Sequence, residues 1–147
     1  MAQRVLVTAG ASGIGKQIAQ AFAASGAKVC VCDIDVMALD TAAKDIPGLI
    51  VEVCDVSKRH EIERMVAAAV AAMDGLDVLV NNAGISGPTA PVEDMDPDAW
   101  EKVMQIDLTG TFNVTRLAIP HLKKSDAGVI INMSSCLLYT SPSPRDS

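Results

Sequence analysis

Apolar and polar positions along the chain alternate between two periods. Val5, Leu6 and Val7 form a short apolar run of strand length, and Ile14, Ile18 and Phe22 follow at helical spacing. The alternation then repeats, predicting a helix over 13–25 that stops at Gly26, a strand over 27–32, and a helix over 36–46 ended by Pro47-Gly48. A strand over 49–53 follows. The next helix carries Ile62, Met65, Val66, Ala69, Val70 and Met73 on one face, and a fourth strand covers 76–80. Ser57 is expected to cap that helix, with His60 and Glu61 facing solvent; the small Ala67, Ala68, Ala71 and Ala72 are expected to let it approach a sheet. Gly87, Pro88 and Pro91 mark a loop over 85–95. Asp96 and Pro97 suit the cap and first turn of a long helix over 96–123, in which Trp100 reads as a packing residue and His121 lies near the end. A fifth strand spans 128–133. Short apolar strands alternating with helices imply an α/β protein built on a doubly wound parallel sheet.

Composition narrows the class. Of 147 residues, 50% are hydrophobic and 20% charged, which suits a globular domain rather than a disordered chain. Net charge is −6 and no basic cluster exceeds Lys123-Lys124, so no nucleic-acid partner is expected. No apolar run approaches the ~18 residues that span a bilayer, and the first strand leaves no space for a signal peptide, so no membrane partner and a cytoplasmic location are expected. Of the four cysteines, Cys30 and Cys32 share a strand face and match no C-x-x-C spacing; with Cys54 and Cys136 they read as reduced apolar thiols.

The chemistry concentrates in 8–15. Three glycines and small residues there join a strand directly to a helix, which sets a helix N-terminus at the carboxyl edge of the sheet. Its free N–H groups and positive dipole end suit a pyrophosphate, and residues without bulk let it approach. Asp33 ends the second strand, eighteen residues after Gly15. At about that interval dinucleotide folds place an acid on the adenosine ribose, where it accepts from the 2′-hydroxyl and repels a 2′-phosphate. NAD is therefore favoured over NADP. Ser12 and Ile34 add no positive charge nearby, and Lys16 is the one feature that counts against the preference.

Thr8-Ala9-Gly10-Ala11-Ser12-Gly13-Ile14-Gly15 resembles the T-G-x-x-x-G-x-G fingerprint of short-chain dehydrogenases/reductases, with Ala9 in place of the first glycine. Because a positive φ would strain alanine, Ala9 is expected at negative φ. Asn81-Asn82-Ala83-Gly84 matches that family's N-N-A-G motif, and Asp55-Val56 resembles its adenine contact. Asp107-Leu108-Thr109-Gly110 resembles its N-L-x-G segment, with Asp107 where the family keeps a catalytic asparagine; a carboxylate donates no hydrogen bond unless protonated. Ser134-Ser135 matches the strand-end pair whose second serine polarises a substrate carbonyl.

The resemblance implies a Rossmann-like sheet in the order 3-2-1-4-5. It also implies cofactor contacts from Thr8, Gly10, Ser12, Gly13, Ile14, Gly15, Asp33, Asp55, Val56, Asn82, Ala83 and Gly84, with Ser135 and Asp107 at catalytic positions and no metal. The implied activity moves a hydride between a nicotinamide and an alcohol or ketone, 3-oxoacyl thioesters included, in a homotetramer. The family's general acid, a tyrosine thirteen positions after the serine, falls past Ser147, so no turnover by this chain is expected. A non-catalytic dinucleotide-binding protein is the alternative that Asp107 leaves open. Residues 136–146, CLLYTSPSPRD, resemble a translated transposase adapter used in preparing sequencing libraries. Residues 1–135 are accordingly read as an incomplete dinucleotide-binding domain, ending on an apolar edge strand, and 136–147 as a non-native tail.

Overall fold

The computed structural model describes residues 1–87 and 89–134. Strands β1 (Arg4–Thr8), β2 (Lys28–Asp33), β3 (Ile50–Val53), β4 (Val78–Asn81) and β5 (Val129–Asn132) form one parallel sheet in the order β3-β2-β1-β4-β5. The order is the expected one. Helices α1 (Gly13–Ala24) and α2 (Val36–Asp45) cover one face, and α3 (Arg59–Met73) and α5 (Thr111–Leu122) the other. A further helix, α4 (Pro97–Met104), precedes α5. No helix among the described residues is long and apolar enough to cross a membrane.

Side-chain alternation along β1 divides the core in two. Val5 and Val7 pack with Val29, Val31, Val78 and Val80 under Ala19 and Leu39. Leu6 points the other way and meets Leu79, Ile62, Met65, Val114 and Leu122. On α3 the buried stripe is Ile62, Met65, Val66, Ala69 and Met73, with Val70 at its margin. The neighbouring alanines do not serve the close approach expected of them. Ala67, Ala71 and Ala72 are exposed and Ala68 is half-buried, because the larger residues already fill the stripe that a 3.6-residue period turns inward.

At the amino ends of the strands, the Arg4 guanidinium forks onto Asp77, with Nε to Oδ2 at 2.9 Å and Nη2 to Oδ1 at 3.0 Å. Ser125 Oγ donates to the same carboxylate at 2.6 Å. The start of β1 is thereby tied to the segments that enter β4 and β5. The Arg4 hydrogen bond, with that of Ser125, holds the Asp77 carboxyl well below the usual carboxylate range.

The helix expected over 96–123 is interrupted. Residues Gln105–Gly110 form a π-helical turn between α4 and α5. A Cβ on Gly110 would lie 2.8 Å from the Val56 carbonyl oxygen, so this turn packs directly on the loop after β3. Trp100 is 52% exposed rather than packed, since α4 buries none of its residues against the sheet. Among the described residues β5 is an outer strand, and its Val129, Ile130 and Ile131 are 45%, 37% and 38% exposed.

Candidate functional site

The strand order reverses between β1 and its neighbours β2 and β4, so the carboxyl ends of the strands open a crevice there. Ala9, Ser12, Asp33, Asp55, Val56, Ala83 and Gly84 line a cleft of about 270 Å³ at this position, with Cys32, Ile34, Cys54, Ile85 and Ile106. A second cleft of about 410 Å³ continues past Asn82, Ala83 and Gly84 to Asp107, Asn132 and Met133. Residues from four separate sequence motifs thus converge on one groove.

The glycines of the first turn divide the work. Gly10 is a packing requirement: a Cβ there would stand 2.6 Å from Val31 Cγ1. Gly15 likewise lies against the Ala9 carbonyl oxygen and Asn82 Nδ2. Gly13 differs. It sits at φ +56° with open space beside it, so no side chain covers the backbone at the start of α1. Ser12 occupies the N-cap position without a side-chain cap bond, and no acid stands in the first turn of α1. The N–H groups of Gly13, Ile14 and Gly15 precede the first intrahelical donor, Lys16, which bonds to the Ser12 carbonyl at 3.2 Å. This cradle fits an anionic diphosphate.

Ala9 contradicts the expectation of a negative φ: it lies at φ +50°. Two features accommodate its peptide there. Asn82 Nδ2 donates to the Ala9 carbonyl at 3.2 Å, and the missing side chain of Gly15 leaves that oxygen the room it occupies. The methyl carries the strain, on the order of 1 kcal/mol. Thr8 is buried, and its Oγ1 accepts from the N–H groups of Asn82 (3.0 Å) and Ala83 (2.9 Å). Asn81 reaches the other way, donating to Asn132 Oδ1 at 2.9 Å and Thr115 Oγ1 at 3.0 Å. The two asparagines therefore tie adjacent strands together, as their amides suggest.

Asp33 accepts from the Ala11 N–H at 3.2 Å and the Asp35 N–H at 3.1 Å, which fixes its carboxylate between the glycine turn and the cleft. Lys16 does not approach it. Its ammonium pairs with Asp45 at 2.6 Å. Asp55 Oδ1 accepts from Ser57 Oγ (2.7 Å) and Ser57 N–H (2.9 Å), and the Ser57 hydroxyl bond chiefly lowers its pKa. Ser57 is thus not the helix cap expected of it; Lys58 occupies that position. Glu61 is half-buried rather than solvated, and its Oε1 accepts from the Asp55 N–H at 3.1 Å. Only its place at the third position of α3, where carboxylates turn back to free N–H groups, hinted at this.

Asp107 sits in the π-helical turn. Its Oδ1 accepts from the Ile85 N–H at 2.8 Å, and its carbonyl accepts from Thr111 Oγ1 at 2.9 Å. The carboxylate anchors the loop that follows Gly84. Ser135 lies outside the described residues, as does the segment 136–147.

The family model described as short chain dehydrogenase matches residues 3–141. The chain belongs to the short chain dehydrogenase family. It is similar to the L-fucose dehydrogenase of Bos taurus, at 37% identity over 131 residues, 89% of this chain and 48% of that protein. It is also similar to the 3-oxoacyl acyl-carrier-protein reductase FabG of Thermotoga maritima, at 38% identity over 142 residues, 93% of this chain and 57% of that one. Among solved structures, a variant of the actinorhodin polyketide ketoreductase crystallised with NADPH superposes with a TM-score of 0.89 at 33% identity, covering 96% of this chain and 56% of that one. The chain spans about half the length of these short chain dehydrogenases.

Proposed function

We propose that the cleft binds NAD and that the whole protein is an oxidoreductase moving a hydride between the nicotinamide and an alcohol or ketone carbon. The observation that carries this reading is the open N-terminus of α1, where Gly13 has free space beside it and the N-cap residue Ser12 lines a cleft with Asp33 and Asp55. The N–H groups of Gly13, Ile14 and Gly15 take the pyrophosphate, with Ser12 at the rim. Thr8 and Gly10 act from beneath, by bonding and by packing. Asp33 accepts from the adenosine ribose, Asp55 and Val56 flank the adenine, and Asn82, Ala83 and Gly84 lead toward the second cleft. Bound NAD supplies the hydride acceptor.

The charge of Asp33, with Lys16 held on Asp45, supports NAD over NADP. Ser135 is proposed to polarise the substrate carbonyl. Asp107 acts as an acceptor that fixes the loop after Gly84, which is the observation favouring a second reading, a dinucleotide-binding protein without catalysis. The names of the relatives favour a small alcohol, ketone or 3-oxoacyl thioester as substrate, and a homotetramer is the proposed assembly. Isothermal titration with each dinucleotide tests the site: NAD is expected to bind at least about tenfold tighter than NADP, equivalent to about 1.4 kcal/mol. Tighter binding of NADP would remove the role given to Asp33.

A further inference from the structure

Carboxylates line both parts of the groove. Asp33 and Asp55 stand in the first cleft and Asp107 in the second, and no basic side chain lines either among the described residues. Lys58 and Lys102 lie close enough to favour the ionised form of Asp55, on the adenine side. Arg116 lines a neighbouring groove along α5. Asp107 belongs to none of the ion pairs among the described residues. Its carboxylate lies against Gly84, where a Cβ would stand 3.3 Å from Oδ1 and 3.9 Å from Oδ2. Oδ1 accepts from the Ile85 N–H, but an amide oxygen would serve that bond equally well. What the carboxylate adds is a full negative charge. Asn81 lines the same cleft, is 6% exposed, and holds an Oδ1 with no hydrogen-bond donor among the described residues, a second electron-rich oxygen without a partner.

Ala83, Gly84 and Ile85 line both clefts, so the two are continuous. The start of α1 lies between them, with Ser12 in the first and Gly15 against Asn82 of the second. A dinucleotide with its adenosine at Asp33 and its pyrophosphate over α1 therefore brings its second base toward Asp107. We propose that Asp107 makes the site discriminate between the oxidation states of NAD, favouring the oxidised form over NADH more than a neutral residue there would. The basis is charge. The nicotinamide ring is a cation when oxidised and neutral once it has taken up a hydride, that is, two electrons and one proton. A carboxylate in the same cleft attracts the first form and not the second. Only such a differential interaction shifts the balance between two states. By linkage the bound couple has a lower potential than it would beside a neutral residue, so bound NADH is the stronger hydride donor. The inference rests on the dinucleotide reading and assigns that site a preference.

The test titrates the 147-residue chain calorimetrically with oxidised NAD, with NADH, and with ADP-ribose, which lacks the nicotinamide. The quantity read is the Kd for NADH divided by the Kd for oxidised NAD. Asp107→Asn removes the charge and keeps an oxygen for the Ile85 N–H. It is expected to lower this ratio about threefold at low salt, the size of one contact between unit charges several Å apart in water. Asp107→Glu keeps the charge and is expected to keep most of the ratio. ADP-ribose is expected to bind the three chains alike. In about 1 M salt, where charges are screened within about 3 Å, the effect of Asp107→Asn is expected to vanish. An unchanged ratio in Asp107→Asn, with ADP-ribose still bound, overturns the inference and leaves the dinucleotide reading standing. Equal weakening of both cofactor forms assigns Asp107 to the loop alone and overturns it too, as does a lower ratio that persists undiminished in 1 M salt. An unsubstituted chain that binds none of the three ligands removes the dinucleotide reading, and the inference falls with it.

Discussion

Ala9 shows how much one methyl group can conceal. Its neighbours Gly10, Gly13 and Gly15 are legible in the sequence because a strand, a glycine turn and a helix leave few other arrangements. The backbone of Ala9 is not legible, because at φ +50° its carbonyl meets the Asn82 amide, 73 residues away, in space that Gly15 leaves open. Ala9→Gly is expected to relieve about 1 kcal/mol of left-handed strain, partly offset by glycine's greater freedom in the unfolded chain. Urea unfolding should therefore show an unchanged or higher midpoint; a clear loss of stability would mean that the alanine side chain packs favourably where it stands. Asp33 and Asp55 were legible for a different reason, since each ends or follows an apolar run at the edge where ligands bind. Glu61 was hidden because its partner is a backbone N–H, a group that every residue carries.

At the scale of elements, strands and helices follow the sequence pattern closely because buried parallel strands and one-sided helices leave strong periodic signals. The π-helical turn at Gln105–Gly110 leaves none, since one extra residue barely changes an apolar period over a single turn. Its effect on the site is nonetheless direct. It brings Asp107 to the Ile85 N–H and seats Gly110 on the Val56 carbonyl. Gly110→Ala would set a Cβ 2.8 Å from that oxygen, so Val56 or the turn must shift. We expect NAD affinity to fall by about tenfold and stability by about 1–3 kcal/mol, the usual range for overpacking. Calorimetry and thermal unfolding read the two effects separately, and an unchanged affinity would show that Val56 does not border the adenine.

For the whole molecule, the Arg4–Asp77 pair predicts a response to acid. Because the folded Asp77 carboxyl titrates below its unfolded value, its contribution to stability is complete above the ordinary carboxylate pKa of about 4 and is lost as pH falls toward the folded value. Asp55 acts in the same direction. Asp77→Asn should lower stability near neutral pH and flatten the decline in unfolding free energy below about pH 4; an equally steep decline would assign acid sensitivity to other carboxylates. The outer strand β5 predicts association, since Val129, Ile130 and Ile131 are all partly exposed on an edge that is unpaired among the described residues. Sedimentation of the 147-residue chain should show mass rising with concentration, and Ile131→Lys should reduce that rise. The position of β1 has a further consequence, in the order of synthesis. Arg4 and its partner Asp77 stand 73 residues apart, so at about 5–20 residues per second the ribosome delivers one roughly 4 to 15 s after the other. During that interval β1 has β2 for a neighbour but no β4, and the hydroxyl of Thr8 has neither of the N–H groups that it later accepts from. Of the three inner strands, β1 waits longest for its second neighbour.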